Sequence, residues 1–328
     1  MERPLRRGRP KAVARWRNRL LTLIALAIAA LVAHEELIRW DPESLGPGGA
    51  TSAPAPLCDD ELRVLTINAW LLSQPHRARA LVDAVDAEGA ALASGASARP
   101  ELVAIQEIRS RVAVRALARE MRDEGSFASC ECSVRSDGSL RSAVAAAVRA
   151  PFVARGHECV GLARILPDQR RCALIVRVAD PEGRSLTFVV THLAWNFATG
   201  VMATQLREQL AERDALGPST IVAGDLNAWP GTEAYEVITR PPLRDARPDA
   251  PPTHFFGRAI DHVLVGRAFE VARGLDRRAS YERMRPGASL WIPRICDAEG
   301  PPACPVSDHL PEGVVLRWRR GSAAGSGG

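Results

Sequence analysis

"VAGDLNAWPG", residues 222–231, decides the reading of this 328-residue chain. It follows an apolar run, sets a carboxylate, Asp225, and a carboxamide, Asn227, two positions apart, and closes on Trp229, Pro230 and Gly231. A buried strand that ends in an acid and an amide delivers polar groups to the edge of a core. The same pattern recurs along the chain. Apolar runs end at Asn68 in "LTINAW", Glu107 in "AIQEI", His192 in "VVTHLAWN" and Asp261 in "AIDHVLV", and Asp308-His309 stands in "VSDHLP" before a last apolar run. Each alone has an ordinary structural reading as a turn former, a solvated strand end, a satisfied core imidazole or a cap. If all of them meet at one edge of a sandwich, an acidic pocket results, and such a pocket needs a cation.

The runs that deliver these groups have strand character at 62–68, 101–107, 172–178, 186–193, 219–227, 259–266 and 313–318. Between the third and fourth, "ADPEGRS" is turn chemistry suited to a hairpin. Apolar spacing predicts helices over 77–93, 110–123, 200–215 and 231–239, the second carrying Val114, Leu117, Ala118 and Met121 at helical intervals. Hairpins mixed with crossovers predict packed sheets with helices outside, an α/β sandwich without internal repeats.

An apolar share of 46% is enough to bury a substantial core. The net charge of +5 suggests a nucleic-acid partner until its distribution is considered. Residues 1–19 hold eight basic groups and one acid, which leaves 35 basic and 37 acidic groups for the remainder. The folded part therefore carries no basic excess that would mark a DNA-binding face.

The basic segment precedes "LLTLIALAIAALVA", residues 20–33, the pattern of an export signal or an uncleaved anchor. The run is shorter than the roughly 20 residues of a comfortable membrane span. Residues 1–40 are thus expected to direct export to the periplasm or exterior, with membrane association through 20–33 where the segment is retained. A Pro/Gly/Ala-rich linker follows at 41–59, then a domain over 60–319 and a Gly/Ser tail at 320–328. Seven cysteines, all beyond the export segment, suit an oxidising compartment. Cys159 with Cys172, and Cys296 with Cys304, are placed to close short loops, and the odd count leaves one thiol over. The "CEC" at 130–132 and the wide spacing elsewhere match no structural zinc pattern.

Oxygen donors from Asn68, Glu107 and Asp308 suit a hard ion, Mg²⁺ or Mn²⁺, shared with phosphate oxygens of a substrate. The ordered set "TIN", "QE", "THL", "GDLN", "IDH" and "SDH" resembles the endonuclease/exonuclease/phosphatase superfamily over about residues 62–318. The stretches "THLAWNF", "GDLNAWPGTEAY" and "FFGRAIDHVLV" resemble an uncharacterised bacterial branch of it most closely. That resemblance implies a DNase I-like four-layer α/β/β/α sandwich, two packed mixed β-sheets flanked by helices, and a Mg²⁺-dependent phosphoester hydrolase. It assigns Glu107 as principal metal ligand, with Asn68 and Asp308 as further or water-mediated ligands. Asp225 would orient or deprotonate the attacking water, and Asn227 would hold that water or a phosphate oxygen. His309, kept in its tautomer by Asp261, would act on the phosphate or as acid/base, and His192 would donate to a non-bridging oxygen.

His262, next to Asp261 on a strand, points to the opposite face and reads as structural. His157 and His254 have no motif context, and Arg258 reads as one of many surface arginines. Trp70, Trp195 and Trp229 each follow a candidate residue within four positions and suit either a platform for a base, sugar or lipid headgroup or packing beneath the site. The substrate stays open between nucleic acid and a phospholipid headgroup. The apolar "ASLWIPRIC" could touch a membrane and keeps a sphingomyelinase-like lipid phosphodiesterase open as the alternative, and the slightly acidic domain weakens the nuclease reading. A binding protein on the same fold is the alternative class, against which stands the presence of Glu107, Asp225 and His309 together. No protein partner is expected.

Overall fold

The computed structural model describes residues 61–93, 99–122, 125–162, 170–195, 198–254, 257–284 and 307–319. The expected export segment, linker and tail, Cys58, Cys296, Cys304 and the stretch 288–296 lie outside the described residues. In chain order the elements begin β1 (Glu61–Leu72), α1 (Pro75–Ala93), β2 (Leu102–Ile108), α2 (Arg111–Arg122), β3 (Gly125–Val134), β4 (Leu140–Arg149) and β5 (Val153–Gly161). They continue as β6 (Cys172–Ala179), β7 (Ser185–His192), α3 (Thr199–Ala211), β8 (Thr220–Asp225), α4 (Glu233–Ile238) and β9 (Leu243–Asp245). The last are β10 (Asp261–Gly266), β11 (Phe269–Gly274), α5 (Arg277–Met284) and β12 (Glu312–Trp318).

The strands form two mixed six-stranded sheets, β11-β12-β1-β2-β4-β3 and β5-β6-β7-β8-β10-β9. Their facing sides share one apolar core that includes Leu62, Val64, Leu102 and Val144 from the first sheet and Leu174, Val176, Phe188 and Val265 from the second. α1 packs outside the first sheet on β1 and β12. α3 buries Met202, Ala203, Leu206 and Leu210, the spacing of a single helical face, in a second cluster outside the other sheet. This is the expected α/β/β/α sandwich. Because helices cover the outer faces, the central strands are apolar on both sides, which is why they read as continuous runs.

The predicted strands and helices all form within a few residues of their expected bounds. The predicted hairpin forms between β6 and β7, where Asp180 Oδ1 accepts from the Arg184 N–H at 2.7 Å. Five strands and one helix had no sequence signal. β4, "LRSAVAAAVR", is alanine-rich and would suit a helix on propensity, yet it is buried along almost its whole length between β2 and β3. β3 and β5 are edge strands of polar, Gly- and Cys-containing sequence.

Register lines up the functional ends. β7 runs parallel to β8 with His192 opposite Asp225, and β8 runs antiparallel to β10 with Asp225 opposite Asp261. The three residues therefore form one row across adjacent strands. Gly224 makes that row possible, since a Cβ there would lie 2.0 Å from the Thr191 carbonyl oxygen. In the first sheet, Asn68 pairs with Gln106, one residue before Glu107.

The cysteine pairing differs from expectation. Cys159 bonds Cys130 and Cys172 bonds Cys132, so neither closes the short loop between 159 and 172. Adjacent strands β5 and β6 of one sheet are instead tied to β3 of the other, because the two sheets meet face to face where "CEC" passes. The bridges fasten edge strand β3 across the sandwich and close loops of 29 and 40 residues. Replacing Cys132 and Cys172 by alanine is expected to cost up to about 4 kcal/mol of stability, measured by chemical denaturation. An unchanged denaturation midpoint would refute a stabilising role for this bridge.

Candidate active site

Where the strand ends converge, a cleft of about 570 Å³ is lined by residues including Trp70, Glu107, Arg171, His192, Asp225, Asn227, Asp308 and His309. Among the described residues, five non-glycine positions have positive φ, and four of them line this cleft: Trp70 (39°), Leu71 (55°), Glu107 (60°) and Asn227 (46°). Left-handed backbone is costly for such residues and persists where the surroundings hold it for a purpose. Two hydrogen bonds hold the first bend. The Trp70 N–H donates to Asn68 Oδ1 at 2.9 Å, and the Leu71 N–H to Glu107 Oε2 at 3.2 Å. Glu107 itself lies where the register of β2 shifts against both neighbours, so the irregularity turns its carboxylate toward the cleft.

Asp225 is the centre of the cluster. Its Oδ1 accepts from the Asn227 N–H at 3.0 Å, and its Oδ2 accepts from Asn68 Nδ2 at 2.9 Å, a contact between residues 157 apart in sequence. His192 Nε2 lies 3.3 Å and His309 Nε2 3.9 Å from the same Oδ2. Burial, with repulsion from Asp261, raises the Asp225 carboxyl to about 7. A carboxyl in that range is poised to take a proton near neutral pH.

The two cleft histidines are driven in opposite directions. His309 Nδ1 lies 2.7 Å from Asp261 Oδ2, and the loop carrying it is pinned by a β-bridge to His254 and by its own N–H donating to Ser307 Oγ at 2.9 Å. Burial opposes its charge, but Asp261, Asp308 and Asp225 outweigh that and raise it well above the usual imidazole range. His192 is lowered well below that range by burial and then by Arg171, whose guanidinium lies 2.9 Å from Nδ1. The two imidazoles are thus pushed toward opposite charge states, a separation typical of divided acid and donor roles.

Asp308 Oδ1 lies 3.8 Å from His309 Nε2, an ion-pair distance too long for a hydrogen bond. This oxygen is buried with no hydrogen-bond partner among the described residues. Burial and the Glu107 carboxylate raise the Asp308 carboxyl to about 6, against the pull of His309. Two carboxylates crowded in a cleft with an unpartnered oxygen fit a hard divalent cation. His254, Asp308 and His309 also bring potential ligand atoms within 4.8 Å of one another, as do Asp225, Asp261 and His309. In the second trio the Asp261–His309 hydrogen bond already occupies the facing atoms, so of the two trios the one with His254 and Asp308 is the better fit; Glu107 lines the same cleft.

Of the eight candidate residues, Glu107, His192, Asp225, Asn227, Asp308 and His309 line the cleft. Asn68 and Asp261 are buried one layer behind, gripping Asp225 and His309 respectively. His262 faces away, its Nδ1 2.8 Å from Asp245 and its Nε2 2.8 Å from the Ala228 carbonyl oxygen, where it braces the turn after Asn227. Trp70, Trp195 and Trp229 all line the cleft, but Arg258 lies 4.0 Å over the Trp229 ring, which leaves Trp195, 74% exposed, as the open one. Sequence reasoning passed over Arg171, Arg258 and His254. Arg171 and Arg258 were hidden among many arginines, and His254 does not close an apolar run in the sequence.

The sequence profile of the endonuclease/exonuclease/phosphatase family matches residues 64–309, three quarters of the chain. Among solved structures, the human Nocturnin catalytic domain with bound sulfate is 16% identical with a TM-score of 0.56, covering 81% of this chain and 96% of that one. An endonuclease/exonuclease/phosphatase family protein from Bacteroides thetaiotaomicron is 17% identical with a TM-score of 0.57, covering 79% and 98%. TDP2 from Caenorhabditis elegans, in truncated form, is 15% identical with a TM-score of 0.51, covering 78% and 97%. These likenesses concern the fold. No curated protein is similar enough to count as a relative.

The raised Asp308 carboxyl makes a signed prediction for the metal-free protein. Its folded value of about 6 exceeds the ordinary value of 3.8, so the stability it contributes is full below about pH 4 and lost as pH rises through about 6. Asp308→Asn removes that ionisation, and is expected to raise the metal-free Tm by about 5 °C near pH 8 while leaving it unchanged near pH 4. Melting curves that show equal effects at both pH values would contradict the crowding of charge.

Proposed function

We propose that this chain, which belongs to the endonuclease/exonuclease/phosphatase family, is a phosphoester hydrolase of the phosphodiesterase or endonuclease type, dependent on Mg²⁺ or Mn²⁺. The family includes metal-dependent phosphodiesterases and nucleases. The observation that carries the reading is the buried Asp225 carboxylate, gripped by Asn68 and the Asn227 backbone beside two histidines whose surroundings drive them in opposite directions.

Glu107 and Asp308 would hold the divalent ion, with Asn68 behind them holding Asp225 in place. When bound, that ion supplies the charge that neutralises phosphate oxygens and the developing alkoxide. Asp225 positions the attacking water and takes its proton, since both of its oxygens are already aimed by donors. The His309 imidazolium donates from Nε2 to a phosphate oxygen, and Asp261 holds the opposite nitrogen and balances the charge. His192 donates Nε2–H to a non-bridging oxygen as negative charge grows there, and Asn227 steadies the water or a second oxygen.

Export to an oxidising space is part of the same proposal, supported by the basic-then-apolar N-terminal sequence and by two cystine bridges in the domain. A lipid phosphodiesterase of sphingomyelinase type is the second reading. It is favoured by the exposed Trp195 and Leu71 at the cleft, which suit an interface where apolar and charged groups meet.

Full-length protein with Mg²⁺ or Mn²⁺ is expected to hydrolyse bis-p-nitrophenyl phosphate and one of plasmid DNA or sphingomyelin, with activity lost to a chelator and restored by the ion. Asp225→Ala and His309→Ala are each expected to lower kcat by about 100-fold or more. Undiminished hydrolysis in the double variant would overturn the assignment. Ligand binding without turnover in the wild type would favour a non-catalytic protein.

A further inference from the structure

We propose that Arg171 is a positioning residue: its guanidinium, through Nδ1 of His192, locks that imidazole in the tautomer that presents Nε2–H to the substrate phosphate. The inference rests on the hydrolase reading above and adds to it a residue that no motif marked.

The argument is one of donors and acceptors. A guanidinium carries five N–H donors and no acceptor, and does not release its proton in proteins. Arg171 Nη1 lies 2.9 Å from His192 Nδ1, and both side chains are buried, at 4% and 3% exposure. Only an unprotonated Nδ1 can accept that hydrogen bond. The single proton of the ring therefore sits on Nε2, which lies 3.3 Å from Asp225 Oδ2 and looks into the cleft. Asn227 Nδ2 lies 3.3 Å from the same Nε2 and spends one of its two hydrogens on the Leu193 carbonyl oxygen at 3.1 Å; its second could be offered to a bare Nε2, but the shorter 2.9 Å contact from Arg171 and the Asp225 carboxylate facing Nε2 favour the proton on Nε2.

The contrast with His309 sharpens the inference. A carboxylate behind His309 holds a proton on Nδ1 and favours the cation, whereas an arginine behind His192 excludes a proton from Nδ1 and forbids the cation. The chain backs two imidazoles of one cleft with opposite charges and so gives them different tasks. The position of Arg171 is also fixed on both sides. Its carbonyl oxygen accepts from the Leu162 N–H at 2.9 Å. The next residue, Cys172, is bonded to Cys132 and accepts at its carbonyl oxygen from Thr191 Oγ1 at 3.0 Å. Thr191 directly precedes His192, so the two partners hang from adjacent, cross-braced strands. A residue that only filled space would need no such alignment of a donor with one ring nitrogen.

The test reads the tautomer directly. In the metal-free, full-length, ¹⁵N-labelled protein at neutral pH, the His192 ring is expected to show a protonated Nε2 and a bare Nδ1. In Arg171→Met, a substantial share of the ring should move its proton to Nδ1, and Arg171→Lys, which restores one cationic donor, should return it to Nε2. On a phosphodiester with Mn²⁺, Arg171→Met is expected to lose about 100-fold in kcat with little change in KM, and Arg171→Lys to recover part of it. The His309–Asp261 signals serve as the folding control in each variant. A wild-type His192 protonated on Nδ1, or an Arg171→Met ring still wholly in the Nε2–H form with the control intact, would overturn the proposal. The wild-type spectrum decides the first of these even if Arg171→Met does not fold. A tautomer switch without turnover on any phosphoester would uphold the lock while removing the hydrolase reading.

Discussion

The hydrogen bond from Asn68 to Asp225 joins the two halves of the molecule where its polar groups converge. Asn68 stands at the bend of β1 in one sheet and Asp225 at the end of β8 in the other, so the contact exists only when the sheets pack face to face in one relative position. The neighbouring interactions depend on that docking. His309 reaches Asp225 from a loop whose Ser307 hydroxyl donates to the Asn68 carbonyl oxygen, and His192 reaches it from the adjacent strand. A slide of one sheet over the other would separate the acid from its amide and from both imidazoles at once. The bridges from β3 to β5 and β6 oppose such a slide at the other side of the sandwich.

Charge in the cleft is arranged against the preference of the folded chain. Asp225 and Asp308 are both raised by burial, and neighbouring carboxylates add to the effect. Four residues in left-handed backbone line the same space. On the proposed hydrolase reading, free energy stored as crowded charge and strained backbone would be recovered on binding a cation and an anionic phosphate, which is how a site can lower its own stability and gain affinity for the charge that develops in a transition state.

The residues behind the cleft decide what those in front can do. Asp261 pushes His309 toward the cation, burial and then Arg171 push His192 toward the neutral ring, and His262 on the far face braces the turn from which Asn227 projects. Changing a backing residue would alter the chemistry of a group it touches without altering the identity of any group that meets substrate. For that reason Arg171 and Asp261 belong to the functional description although one precedes a strand and the other is wholly buried.

Much of this was legible in the residues themselves. Continuous apolar runs marked the central strands because helices cover both outer faces, and the acids, amides and imidazoles at their ends stood out because polar groups rarely close a buried run without reason. The order "TIN", "QE", "THL", "GDLN", "IDH", "SDH" was enough to indicate the family and its sandwich. What stayed hidden had physical causes. The alanines of β4 carry no strand preference and are imposed by the tight space between β2 and β3. The cysteine pairing followed which sheets face each other rather than which cysteines are near in sequence. Arg171 and His254 have no local signal, since their meaning comes from a ring nitrogen and a loop brought up by distant chain. The sequence by itself determined the elements and the inventory of reactive groups, because both follow from local composition and period. Only the tertiary structure decided the charge and tautomer of each group, because those depend on what lies within about 4 Å across the seam between the sheets.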